Sequence, residues 1–500
     1  MALMACYWAT GPQSRRSSAR IRRRSPWLAV LGLAVSGGLQ AQSSPAEQPS
    51  PVEPSPPAAV APAPASTPQE EPATAASPPA EDSSATTESD AVSPDALVSR
   101  FEANDAFGRL VADQKFAAAV PVGKRLAELT EQEFGKRSRE TADVYAALGD
   151  AERHAGDHDG AEKSYLEAID VYRSVDGVFT PLVIGPLTSM GENYDEAGQY
   201  LNAVSAYSEA RTVNRRTFGL LNEEQIPLLD HMTQSLVALN DLAEADKQQL
   251  EALHLIQRTS PPDSDRGLAA TYKYAAWLQS RGRFQEERDT YAQALRAITD
   301  ASGENDPRRV EPLRGIANSF RNQGIPEPQG IGSLNQALEV LDAHQPRDDL
   351  ATAEVLRDIG DWNVAFDKVD YAGDDYRRAW QLLGNVDNGE KVRADWFRGA
   401  NYVLREPVSL RDISEERNAP EGHVVAKFDL DTSGRPANVV IVESDPPGLK
   451  DEAVLRAVRR SRFRPQMLNG ELVKGEGLGL RFTYRYTTDD ADTRKKRKTG

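Results

Sequence analysis

The sequence has 500 residues, with 59 Lys and Arg against 76 Asp and Glu, a formal charge of −17 and a single cysteine, Cys6. This length exceeds one ordinary domain and predicts a chain of several parts. The acidic body argues against nucleic acid, whose phosphates need a cationic surface, and one cysteine near the start leaves the rest without disulfides, thiol catalysis or cysteine metal sites.

Residues 1–41 read as an export signal. Arg15, Arg16, Arg20, Arg22, Arg23 and Arg24 form a basic region, Trp27 to Leu39 an apolar core, and Leu39-Gln40-Ala41 a small-residue cleavage site. The apolar run is shorter than the ~20 residues a spanning helix needs, which predicts cleavage; a retained anchor is the alternative. Removing this segment takes away six arginines and no acids, so the formal charge moves from −17 to −23. Residues 42–97 follow as a linker. Ser43 to Pro94 holds thirteen prolines and no Lys or Arg, a composition that buries no core and predicts a disordered or polyproline-like tether. At ~3.1 Å per residue its extended limit is on the order of 150 Å.

Residues 98–401 repeat themselves. Leu148-Gly149, Gly156, Ala161, Tyr165 and Ala168 recur 42 residues later as Met190-Gly191, Gly198, Ala203, Tyr207 and Ala210. Further steps of 42 give Met232-Thr233, Asn240, Ala245, Gln249 and Ala252, then Tyr274-Ala275, Gly282, Glu287, Tyr291 and Ala294. Ile316-Ala317 and Gly324 come next, and after a one-residue insertion near Pro326 and Pro328 come Ile359-Gly360, Ala372, Tyr376 and Ala379. A degenerate unit with Phe116, Ala119 and Leu126 stands in front, making about seven units. A small residue in helix A, a turn, and Ala-aromatic-Ala on helix B resemble tetratricopeptide repeats. The 42-residue period, with Phe134-Gly135 and Phe218-Gly219 before helix A, resembles the longer repeats of the kinesin-light-chain type. Stacked units of this kind bury a continuous core and leave a concave surface that binds proteins or peptides. Arg314, Asn318 and Arg321 are spaced i, i+4, i+7 on one face of a helix A, with Asn322 beside them. That stripe is either a clasp for a peptide backbone or carboxylate, or a solvated helix face. Glu192, Asp195 and Glu196 form an acidic patch with the same two readings.

No catalytic constellation stands out, and neither a cofactor nor a metal is expected. His154 and His158 flank Gly156-Asp157 at an inter-helix turn, so they do not share a helical face. Asp370, Asp374 and Asp375 lack the glycine and spacing of a calcium loop. Gly475-Glu-Gly-Leu-Gly479 leads into a strand, with no helix behind it to hold a phosphate, and marks a bulge or a flexible strand start.

The last part, residues 406–487, is nearly neutral, and a short basic tail, 488–500, follows it. Val424, Ala426, Phe428 and Leu430 alternate along one strand, Thr432 to Pro436 is a turn around Gly434, and Ala437 to Glu443 is a second β-branched run. Leu449, Ala453, Val454, Ala457 and Val458 make a helical stripe. Arg462-Phe463-Arg464-Pro465, an Asn469-Gly470 turn, and a final strand with Leu478, Leu480, Phe482 and Tyr484 on one face complete the order. The sequence and spacing of these pieces resemble the C-terminal domain of the TonB energy-transducer family, without the Tyr-Pro pair that family often carries before it (here around Leu410 to Ala419). The fold class expected is mostly α: a tetratricopeptide solenoid followed by a small ββαβ TonB-like domain, with a disordered N-terminal linker. The resemblance implies a periplasmic protein-binding adaptor of a Gram-negative bacterium, and the scarcity of cysteine and histidine with no pocket motif argues against an enzyme. Its last strand, with Leu478, Leu480, Phe482, Thr483, Tyr484 and Tyr486, would offer a free edge to an extended partner segment, such as that of an outer-membrane transporter. Homodimerisation by the same edge is an alternative. A membrane-anchored energy transducer is another, although Trp27 to Leu39 lacks the histidine such anchors usually carry.

Overall fold

A computed structural model describes residues 99–408 and 419–486. The expected signal segment (1–41), linker (42–97) and basic tail (488–500) lie outside the described residues, as does most of the stretch around Leu410 to Ala419. Seven antiparallel helix pairs follow one another: α1 (Arg100–Ala112) with α2 (Phe116–Phe134), α3 (Arg139–Ala155) with α4 (His158–Asp176), α5 (Ile184–Glu196) with α6 (Tyr200–Phe218), and α7 (Ile226–Ala238) with α8 (Leu242–Thr259). Then come α9 (Asp265–Ser280) with α10 (Phe284–Ser302), α11 (Val310–Gln323) with α12 (Pro328–Ala343), and α13 (Asp349–Ala365) with α14 (Val369–Leu382), and α15 (Gly389–Phe397) closes the array.

The backbone explains the period. The turn inside each pair holds one residue at positive φ: Gln114, Gly156, Gly198, Asn240, Gly282, Gly324 and Asp367. These positions step by 42 until the single insertion before the last, and glycine or a short polar side chain tolerates that conformation best. The second helix of a pair runs to 19 residues in α2, α4, α6 and α10. It stops at Gly135, Gly177, Gly219 and Gly303, all at positive φ and on the same 42-residue grid. Short 3-10 turns at Pro181–Val183, Glu223–Gln225 and Pro307–Arg309 then lead into the next unit, capped by Thr180, Asn222 and Asp306. The extra length over an ordinary tetratricopeptide unit lies in these long second helices and their connectors.

Packing explains the landmark residues. A Cβ on Gly149 would stand 2.7 Å from the ring of Tyr165, one on Gly191 2.4 Å from Tyr207, and one on Gly360 2.5 Å from Tyr376. Each tyrosine therefore seats against bare backbone of the first helix in its own pair. Each hydroxyl is satisfied by a carboxylate on that helix: Tyr165 donates to Asp150 (2.7 Å), Tyr207 to Asp195 (2.9 Å) and Tyr376 to Asp361 (2.9 Å).

The C-terminal part has β1 (Tyr402–Leu404), β2 (Glu421–Leu430), β3 (Pro436–Asp445), α16 (Asp451–Arg460), β4 (Arg462–Phe463), β5 (Gln466–Leu468), β6 (Glu471–Val473) and β7 (Gly475–Arg485). β3, β2 and β7 form an antiparallel sheet in that order. Val424, Ala426, Phe428 and Leu430 point inward with Val439, Tyr484 and Phe463, and α16 covers them with Val454 and Val458. Asn469 and Gly470, both at positive φ, join β5 to β6 as a two-residue hairpin. Among the described residues no helix is long and apolar enough to cross a membrane.

Candidate strand-addition edge and repeat groove

The residues expected to line the repeat groove sit within a ladder of charges between successive first helices. Arg314 on α11 gives Nε to Asp358 (2.8 Å) and a terminal nitrogen to Glu354 (2.7 Å), both on α13. Arg321 reaches Asp361 on the same helix (3.1 Å). The structure thus brings Arg314, Asn318 and Arg321 to one helical face and engages the two arginines with the next unit. Asn318 and Asn322 make no side-chain hydrogen bond among the described residues. Burial alone would raise Asp358, but the guanidiniums of Arg357, Arg314 and Arg321 outweigh it and hold the carboxyl below its usual range. The acidic patch belongs to the same ladder. Glu192 and Glu196 meet Arg153 (3.1 and 2.6 Å), and Asp195 accepts from Tyr207 and from Ser235 (2.6 Å). His154 stacks on Phe116, and His158 bonds Asn193 of the following pair (2.8 Å), so the two rings serve different neighbours.

One site was not read from sequence at all. Arg464, inside the Arg462-Phe463-Arg464-Pro465 stretch, enters the last helix pair. Its Nε and a terminal nitrogen clasp the buried Asp361 (2.8 and 2.6 Å), and its other terminal nitrogen donates to Trp396 O (3.0 Å). Asp361 therefore accepts from Arg464, Arg321 and Tyr376 together. Burial opposes the charge on both partners, and their mutual attraction outweighs it, lowering Asp361 and raising Arg464. Around this pair, β1 pairs with β4, and Tyr402 packs on Phe463 at 4.6 Å. Met467 and Leu472 join Val364, Tyr376, Phe397 and Val403 in one apolar cluster. The main-chain N–H of Phe463 donates to Gly434 O (2.9 Å), and a Cβ on Gly434 would lie 2.1 Å from Phe463 O, so the β2–β3 turn also needs its glycine here. Asp367 adds Arg435 and Arg462 at the rim. The repeat period carried the signal for the charge ladder, since an arginine in one first helix faces acids about 42 residues on. No local signal marked Arg464.

The sheet has two outer edges, and they differ. β3 is irregular: its register with β2 shifts twice, Pro436 starts it, and Asn438 sits at φ +52 with its amide bonded to Asp429. Bulges and proline of this kind blunt an edge against further pairing. β7 is regular from Glu421↔Arg485 to Phe428↔Leu478, and its bulge is confined to the Gly475–Gly477 start, where Gly477 has φ +62. Tyr486 N donates to Pro420 O (3.1 Å). Antiparallel pairs alternate, so Tyr484, Phe482, Leu480 and Leu478 turn their backbone groups to β2. The backbone groups of Gly479, Arg481, Thr483 and Arg485 then face the open side. The expected face is present: Leu478, Leu480, Phe482, Tyr484 and Tyr486 lie against the module's core, whereas Thr483 is exposed.

Residues 414–486 match the family described as the Gram-negative bacterial TonB protein C-terminal, and residues 110–174 match the tetratricopeptide repeat. No curated protein matches the chain. Among solved structures, a kinesin light chain with nearly identical TPR-like repeats, given as from Podosopora anserina, is similar at 14% identity over 40% of this chain and 95% of that one, with a TM-score of 0.33. BtubC (BKLC) from P. vanneervenii is similar at 16% identity over 62% and 99%, TM-score 0.22. A tetratricopeptide repeat protein from Parabacteroides merdae is similar at 17% identity over 59% and 96%, TM-score 0.29. The chain thus joins a tetratricopeptide protein-binding scaffold to a TonB-like module, two folds built for protein contacts.

Proposed function

We propose that this chain, a tetratricopeptide array ending in a TonB C-terminal module, is an adaptor in the periplasm of a Gram-negative bacterium. Its β7 edge pairs by strand addition with an extended segment of a partner such as an outer-membrane TonB-dependent transporter. The observation that carries this reading is the contrast between the edges: β3 is bulged, and β7 offers unbroken backbone groups on Gly479, Arg481, Thr483 and Arg485. The array contributes a second protein-binding surface, where Asn318 and Asn322 are free to hold a peptide backbone beside the charge ladder of Arg314 and Arg321.

The same edge is poorly suited to a second copy of itself. An antiparallel pairing centred on Thr483 would set Arg481 of one copy opposite Arg485 of the other, and like charges directly opposite are destabilising. The test uses the full chain with Thr483→Pro. The Thr483 N–H faces the open side, so proline removes a donor offered to the partner and leaves the ladder to β2 intact. Affinity for a transporter's N-terminal segment is expected to fall up to about tenfold, the loss of one interfacial hydrogen bond. Unchanged binding by the variant would sink the proposal.

A further inference from the structure

The outer surface of β7 carries charge that its own sheet leaves unanswered. Gly479, Arg481, Thr483 and Arg485 are all exposed, and these are the residues whose backbone groups face the open edge. The β2 neighbour of Arg481 is Val425, and no carboxylate lies within ion-pair distance of Arg481 among the described residues. Arg485 has only Glu421, at 3.6 Å, with both side chains well exposed. Lys427 stands on the same face, opposite Gly479. The other face of β7 is apolar, with Leu480, Phe482 and Tyr484 in a row.

A strand added to β7 would set one of its residues directly opposite each of these, and directly opposite residues project from the same face. We infer that the edge selects an extended segment with two carboxylates four residues apart, one opposite Arg481 and one opposite Arg485. The residues on either side of the middle position, opposite Phe482 and Tyr484, are apolar. The spacing is the same for a parallel or an antiparallel approach, because the two arginines are symmetric about Thr483. This inference rests on the strand-addition reading and names the partner chemistry for it. Each opposite-charge pair contributes roughly two- to fivefold in affinity. The two together give about tenfold at low salt, shrinking as ionic strength rises because both arginines are exposed.

The probe is a synthetic peptide with the core glutamate-valine-threonine-valine-glutamate and its twin with glutamine at both ends, titrated against the full chain at low and high salt. The glutamate peptide is expected to bind about tenfold tighter than the glutamine one, Arg481→Glu to remove or invert that preference, and Thr483→Pro to weaken binding of both by up to about tenfold. Equal binding of the two peptides, still weakened in Thr483→Pro, overturns the charge preference and leaves strand addition standing. Failure of both peptides to bind, or binding that Thr483→Pro does not touch, overturns strand addition and this inference with it.

Discussion

Replacing Arg464 by methionine keeps a side chain of similar length and deletes the guanidinium that meets Asp361. The carboxylate then loses two of its four donors, keeping Arg321 at 3.1 Å and Tyr376 at 2.9 Å. Breaking a buried ion pair from one side costs about 3–5 kcal/mol, because the remaining charge stays desolvated. Arg321 still answers part of that charge, so about 3 kcal/mol is the expected loss. Urea unfolding read by tryptophan fluorescence is suited to it, since Trp380 and Trp396 lie in the junction cluster, Trp362 packs in the adjoining array core and Trp277 is farther along the array. With an m-value of ~1–3 kcal/mol per molar, the midpoint of the junction transition should fall by ~1 M or more. Asp361→Asn and the double variant complete a cycle, and the double variant should cost clearly less than the sum of the singles. Because Asp361 and Asp358 are lowered from 3.8 in the fold, their stabilisation is fully present above the ordinary carboxylate range and is lost only as pH falls through the still lower folded values. The effect of Arg464→Met should therefore be constant between about pH 5 and 8. Singles that each cost under about 1 kcal/mol, or that add without coupling, would show that apolar contact alone holds the module to the array and that the reasoning is wrong.

Asp375 has the opposite sign. Burial raises it from 3.8 to about 6, against Arg378 and Asn363, so it destabilises the fold once ionised. Stability of the last helix pair should decline as pH rises from about 4 to about 6, and Asp375→Asn should flatten that decline in urea titrations. Gly191→Ala should cost about 1–3 kcal/mol despite alanine's better helix propensity, because its Cβ would meet the Tyr207 ring. Gly332→Ala in α12, with nothing within 4 Å, should gain about 0.5–1 kcal/mol, and thermal melts of the two variants should move in opposite directions. N-terminal sequencing of protein from fractionated cells is expected to start near Gln42 in the periplasmic fraction. An intact basic N-terminus in the inner membrane would turn the reading to an energy transducer.

The repeat array was legible because its constraints are local and periodic. Gly156, Gly198, Gly282 and Gly324 mark turns that demand positive φ, and Gly149, Gly191 and Gly360 mark seats for tyrosine rings. The alternation in Val424 to Leu430 and in Leu478 to Tyr484 likewise fixed both faces of the sheet. What the residues do to one another at long range was not legible. Arg314 and Arg321 read as a stripe without partners: the period places acids 40 to 44 residues on, but the contact between successive first helices is made only in the fold. Arg464 meets Asp361 across 103 residues, and no periodicity links them. Which edge of the sheet is open depended on bulges in β3, and single-strand alternation carries no information about register.

The strand Tyr402–Leu404 lies in the interval between the stretches that look like repeat array and C-terminal module, yet it hydrogen-bonds to Arg462 and Phe463. The two parts are therefore not interchangeable cassettes. A graft of residues 406–487 onto another carrier would arrive without the strand that backs Phe463, and with Met467 and Arg464 deprived of the cluster and carboxylate that receive them. The reverse truncation, an array ending at residue 401, would strip Asp361 of half its donors. Asp361 and Arg464 are therefore expected to change together or not at all in chains of this architecture.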